Sequence, residues 1–180
     1  MIETFRLHQL LRETVQSPYR CLVTRPTGAA IRDRIERSLE TSSCVTALLD
    51  FAEVEMMDFS CADEVVAKLL LARGPGERPY FVLSGLHDGQ REAVEHVLRH
   101  HQLAVAAIRD QTRSPAVLGC ADEDARLAFE SVCSTGPADE HALAARLGWA
   151  PERAARAIEG LAWLRLARVD EGTLHPVPLP

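Results

Sequence analysis

Residues 44 to 71 read CVTALLDFAEVEMMDFSCADEVVAKLLL, and the reading of this stretch decides the fold. Its first part, CVTALLDF, is apolar with almost no alternation and has the length of one strand. A strand of that kind is buried on both faces, as in a mainly parallel sheet. An acidic hinge follows, Asp58-Phe59-Ser60-Cys61-Ala62-Asp63-Glu64, with Ser60 as its one hydroxyl. A helix is predicted over 60–72.

Working outward, the same alternation continues. RCLVT (20–24) reads as a strand and GAAIRDRIERSLE (28–40) as a helix with Ile31, Ile35 and Leu39 on one face. PYFVLS (79–84) is a second apolar run, DGQREAVEHVLRHH (88–101) a helix started by Asp88, and LAVAAI (103–108) a further strand. Strands that alternate with helices predict an α/β domain with a mainly parallel sheet and flanking helices. The first 18 residues fit a short amphipathic helix, with a strand near Thr4–Leu10 as the alternative.

The segment RDQTRSPAVLG (109–119) reads as a linker, and the pattern then becomes helical. AFESVC lies in one helix, LAARLGW ends a second at Gly148, and PERAARAIEGLAWLRL starts a third with proline at its first position. LARVDEGTLHPV then reads as a hairpin around Asp170-Glu171-Gly172. That order predicts a small C-terminal winged helix-turn-helix. The expected organisation is a first domain over 1–110, a linker over 111–119 and a second domain over 120–180. Trp149 and Trp163 are expected in the core of the second domain.

The stretch ALLDFAEVEMMDFSCADEVVAKLLL resembles the central segment of STAS domains, the sulphate-transporter and anti-sigma-factor-antagonist fold. It is most similar to the STAS-like family of unknown function, in which a strand ends in Asp-Phe and Ser-Phe-Ala-Asp-Glu opens a helix. Here Asp50-Phe51 and Ser60-Cys61-Ala62-Asp63-Glu64 take those places, and the resemblance covers about residues 19 to 110. It implies regulation through protein–protein contact. In the antagonists the matching turn is Asp-Ser-Ser-Gly, and a partner kinase phosphorylates its second serine. By position that serine corresponds to Ser60 and the aspartate to Asp58, while Phe59 replaces the first serine and Cys61 the glycine. The implied partner is a histidine-kinase-like anti-sigma factor or kinase.

The residues of the hinge carry an argument of their own. Ser-x-x-Asp at 60–63 has the form of a capping box, and a serine N-cap is worth ~1 kcal/mol over alanine. A phosphoryl group on Ser60 would meet free backbone N–H groups and the positive helix end. It would also add a charge of about −1.5 to −2 beside Asp58, Asp63 and Glu64. Both roles stay open, because a capping serine can also be a substrate.

Elsewhere the candidates are weaker. Glu92, His96 and His100 recur every four residues, with His101 beside them, and a solvated helix face is the expected reading. Arg12, Arg32, Arg34 and Arg37 interleave with acidic residues, so a mixed surface is expected. RGPGERP (73–79) lacks the Gly-Lys-Ser/Thr of a phosphate cradle and reads as a turn. No catalytic signature is visible, and neither an enzyme, a cofactor nor a metal is expected.

For nucleic acid, Arg153 and Arg156 lie on the presumed recognition helix and Arg165 and Arg168 near the wing. Residues 120–180 nevertheless hold ten acidic residues against six arginines, a net of −4. A duplex binder depends on several phosphate contacts, so protein contact or homodimerisation is the favoured use of this unit. DNA binding, with the STAS-like half as sensor, is the alternative.

The bulk numbers agree with a regulator. The 180 residues are 47% apolar and 26% charged, with a net charge of −6, which argues against broad attraction to nucleic acid or anionic lipid. No apolar run nears the ~20 residues of a membrane span. MIETFRLHQLLRE lacks the basic start and apolar middle of a signal peptide, so a cytoplasmic protein is expected. The five cysteines are odd in number and never form C-x-x-C, which predicts free thiols.

Overall fold

A computed structural model describes residues 1–15, 20–74, 76–109, 112 and 114–179. The chain opens with β1 (Ile2–Arg6) running directly into α1 (Leu7–Val15), so strand and helix are both present in the first 18 residues. There follow β2 (Cys21–Leu22), α2 (Arg25–Thr41), β3 (Thr46–Asp50) and β4 (Met56–Met57). The hinge helix is one rod of three parts: α3 (Phe59–Ala62), a π-helical turn (Asp63–Ala67) and α4 (Lys68–Leu71). Next come β5 (Tyr80–Ser84), α5 (Asp88–His100), β6 (Ala104–Ile108) and β7 (Pro115–Gly119). The chain ends in α6 (Glu123–Thr135), α7 (Glu140–Leu147), α8 (Pro151–Trp163), β8 (Ala167–Asp170) and β9 (Thr173–Pro176).

The principal sheet has the order β1-β3-β5-β6-β7, with the first four strands parallel and β7 antiparallel to β6. Successive side chains of a strand point to opposite faces, so each strand serves two cores. Phe5, Leu49, Leu83, Ala107 and Leu118 face α1, α2, the hinge helix and α5. Leu48, Val82, Ala106 and Val117 face α6, α7, α8 and the β8–β9 hairpin. The unbroken apolar runs of β3, β5 and β6 are explained by this cover on both sides. Phe129 of α6 is fully buried in the second core, which stabilises by ~3 kcal/mol. No helix among the described residues is long and apolar enough to cross a membrane.

Three expectations need correction. The segment 111–119 is not a plain linker, because Pro115–Gly119 forms β7, the edge strand of the sheet; residues 111 and 113 lie outside the described residues. Proline at the first position suits an edge strand, where one N–H is dispensable. Arg126 of α6 reaches along this edge and donates to the carbonyls of Val117 and, at 2.6 Å, Gly119. The run 20–24 does not enter the principal sheet either. Only Cys21–Leu22 is strand, paired in parallel with Met56–Met57, because α2 starts at Arg25 with Pro26 in its first turn. Trp163, finally, is 73% exposed, whereas Trp149 packs against the second core. The apolar stripe of α8 runs through Ala154, Ala157, Ile158 and Leu161, and Trp163 lies off it.

Candidate functional site

Asp58 organises the start of the hinge helix. It is the N-cap, in extended backbone, and its Oδ1 accepts the Cys61 N–H at 2.8 Å. Its Oδ2 accepts the Thr24 N–H at 3.0 Å, which ties the hinge to the beginning of α2. Ser60 is therefore not the cap: it stands in the first turn, and its hydroxyl donates to Asp58 Oδ1 at 2.8 Å. The capping-box expectation at 60–63 is corrected by that geometry. Burial pushes the Asp58 carboxyl up, but the N–H groups of Thr24 and Cys61 and the Ser60 hydroxyl outweigh it and hold it below the ordinary carboxylate range. Thr24 itself sits at φ 77°, in the left-handed region that a β-branched residue rarely adopts.

Glu64 is the deepest charge at the site, only 2% exposed inside the π-helical turn. Arg25 Nη1 approaches its Oε1 at 2.8 Å and Arg32 Nη1 its Oε2 at 2.5 Å, and Lys68 reaches Oε1 from one turn on. Such a carboxylate is tolerable only because it is paired on all sides. The helices approach closely enough for this because residue 28 is glycine. A Cβ there would stand 2.9 Å from Glu64 Cβ and 3.0 Å from Cys61 Cα. Asp63 lies nearer the surface, bridging Arg25 Nη1 at 2.7 Å and His101 Nε2 at 2.7 Å. Burial raises its carboxyl, and Arg25 followed by His101 outweighs that and lowers it. Burial pushes the Cys61 thiol up to about 12, so it is no nucleophile at neutral pH.

The four hinge residues named from the sequence thus come together, with different duties. Asp58 caps, Glu64 is enclosed, and Asp63 is shared between α2 and α5. Ser60, its hydroxyl turned to Asp58, lies with Asp63 at a cleft of about 400 Å³ that Arg25, Phe59, His96, His100 and His101 also line. Phe59 is 50% exposed, and its ring lies 4.6 Å from that of His96, centroid to centroid. Glu92, His96 and His100 share one side of α5, along a groove with Asp88 and Arg99. Among the described residues no three His, Cys, Asp or Glu side chains converge as metal ligands would. The N-cap of α5 is His87, not Asp88, in a reciprocal box with Gln90.

The ties of Thr24, Arg25, Arg32 and His101 to the hinge escape a reading of the sequence, since each meets it from more than 30 positions away. Only Lys68 had a local signal, the four-residue spacing from Glu64.

The arginines of the C-terminal unit do not gather into a strip. Arg153 stacks over Trp149 at 4.4 Å and makes a forked pair with Asp124, at 2.9 and 2.6 Å. Arg165, at φ 58°, turns back onto the sheet and donates to the carbonyls of Pro79 at 2.8 Å, Glu77 at 3.0 Å and Leu70 at 3.4 Å. Burial lowers its pKa from the usual arginine value. Arg156 is exposed, and Arg168 is half-buried beside Trp163, Glu159 and Asp170. No known protein family, curated protein or solved structure matches this chain.

Proposed function

We propose that the chain is a regulatory protein that works by protein–protein contact through a STAS-like unit, with the accessible residues of the hinge, Met56, Phe59 and Ser60, as its contact surface; Glu64, enclosed, is not part of it. The observation that carries this reading is Phe59. A half-exposed aromatic ring stands beside a serine that the helix does not need as its cap. Exposed aromatic residues are frequent anchors of interfaces, and the neighbouring hydroxyl, which donates to Asp58 without capping the helix, would serve as the switch. Met56, 57% exposed, extends the apolar surface. The STAS-like assignment is supported by parallel strands laid down in chain order, with the hinge between two of the core strands. A winged-helix assignment for residues 120–180 is supported by the order helix, bridge at Ala138, helix, turn, helix and hairpin. The partner implied by the resemblance is a histidine-kinase-like protein, and the cytoplasm is where such a pair would meet.

The DNA-binding reading gains no support from the arginines: Arg153 and Arg165 have internal partners, Arg168 is half-buried and Arg156 stands exposed. No catalytic role is proposed for any residue.

The test is affinity capture from native lysate with the wild type, Phe59→Ala and Ser60→Ala. Phe59→Ala should reduce recovery of the specific partner at least about tenfold while leaving the melting curve nearly unchanged, since an exposed side chain contributes little to the core. Equal recovery by all three chains would remove the hinge as the contact surface.

A further inference from the structure

The β8–β9 hairpin has one rim that the fold leaves open. Its turn, Glu171-Gly172, has positive φ at both positions, 47° and 78°, the type I′ form of a two-residue hairpin. Asp170 and Thr173 flank that turn, and hydrogen-bonded and non-hydrogen-bonded pairs alternate from there. Leu174 fixes the phase, because its N–H and C=O both turn away from β8, to Ala138, at 2.8 and 3.1 Å. Val169, opposite Leu174, therefore aims its own N–H and C=O outward, as does Ala167 two residues before it. Among the described residues none bonds to these outward groups.

We propose that this rim pairs with itself: two copies of the chain join antiparallel through β8, about a two-fold axis at Val169. The proposal does not rest on the hinge reading. With the axis there, Val169 faces Val169 of the second copy, and the two exchange the outward hydrogen bonds. Arg168 then faces Asp170 of the second copy, and Asp170 faces its Arg168. These two side chains share one face of β8, and neither makes an ion pair within the chain among the described residues.

Charge selects this register over its neighbours. An axis at Arg168 would oppose two guanidinium groups, and one at Asp170 two carboxylates, and like charges directly opposite are destabilising. An axis at Ala167 would draw Arg165 into the ladder, whereas Arg165 is turned back onto the Pro79 carbonyl. Charges on a rim commonly keep other strands away. Here their opposite signs, placed symmetrically about Val169, suit the chain's own strand. The surroundings add apolar area. Val169 is 39% exposed, and a groove of about 560 Å³ beside β8 is lined by Arg78, Tyr80, Glu159 and the exposed Trp163. A second β8 along the rim covers Val169 and lies next to that indole, the kind of residue that anchors interfaces.

Sedimentation equilibrium of the full chain is the test. The wild type should dimerise with a dissociation constant below about 0.1 mM. Arg168→Asp sets carboxylates against each other across the axis, and Asp170→Arg sets guanidinium groups against each other. Each alone should weaken association at least about tenfold. Both positions lie outside the buried core, so melting temperatures should hold. Mixed one to one, the two variants should pair with each other about as tightly as the wild type, since every like-charge contact becomes an opposite one. A wild type still monomeric at about 0.5 mM overturns the proposal and leaves the rim to a strand of another protein. Variants that dimerise as the wild type does, or a mixture no tighter than its parts, overturn it as well. None of these outcomes bears on partner capture through Phe59, so the two readings fail separately.

Discussion

Two enclosed charges hold this molecule together, and they are stabilised in opposite ways. At the hinge, the Glu64 carboxylate is surrounded by the cations Arg25, Arg32 and Lys68. In the C-terminal unit, the Arg165 guanidinium makes no ion pair among the described residues and is held by the carbonyls of Leu70, Glu77 and Pro79. The first arrangement is a matter of net charge, and its cations remain crowded together if the anion is removed. The second is a matter of shape, because a planar fork reaches several dipoles at once. Both ends of the hinge helix are involved, Glu64 near its beginning and the Leu70 carbonyl near its end. A shift of that helix would be felt at both.

The contrast is open to attack in decreasing order of effect. Glu64→Ala should be the most damaging, destabilising by about 3–5 kcal/mol in urea unfolding, because three cations lose their common partner. A loss below 1 kcal/mol would show that the cations relax freely and that the enclosure is not tight. Arg165→Ala should cost about 1–3 kcal/mol by leaving carbonyls without a donor. Arg165→Lys should recover little of it, since an ammonium cannot reproduce the fork. Full recovery with lysine would reduce both sites to simple charge.

Smaller effects separate cap from neighbour. Asp58→Ala should cost about 1–2 kcal/mol, as it loses the cap and the link to Thr24, whereas Ser60→Ala should stay near 0.5 kcal/mol. The reverse ranking in paired unfolding curves would restore Ser60 as the cap. Acid completes the series. Asp58 and Asp63 are both held below the ordinary carboxylate range in the folded chain. Their contribution is present above the unfolded value of about 4 and is lost as pH falls through the lower folded values. Asp63→Asn should therefore flatten the fall in stability below about pH 4, read from denaturation midpoints.

Much of the α/β alternation is legible because it is written in local patterns. The runs at 44–51, 79–84 and 103–108 admit no exposed face, and the helices between them keep a period near 3.6. The edges of the structure are harder. SPAVLG is short and begins its strand with proline, so its pairing with β6 is visible only once that strand is in place. The hinge offers two residues of capping type, Asp58 and Ser60, and local sequence cannot choose between them. The choice is made by the Thr24 N–H, 34 positions away. Arg25 and Arg32 meet Glu64 across a similar distance, which no spacing reveals. Trp163 is a different case. The stripe of α8 already excludes it, and aromatic character alone argued for the core.

The guard that Arg126 sets on the outer carbonyls of β7 bears on how copies of the chain could aggregate. A filament built by sheet extension needs two docking rims on every monomer, one to receive and one to offer. Here the β7 rim of the principal sheet is occupied by a guanidinium and opens with proline, while among the described residues β1 pairs only with β3. Two copies could join through β1 and complete a longer sheet. A third would find only blocked rims, so polymerisation by this route stops at a pair.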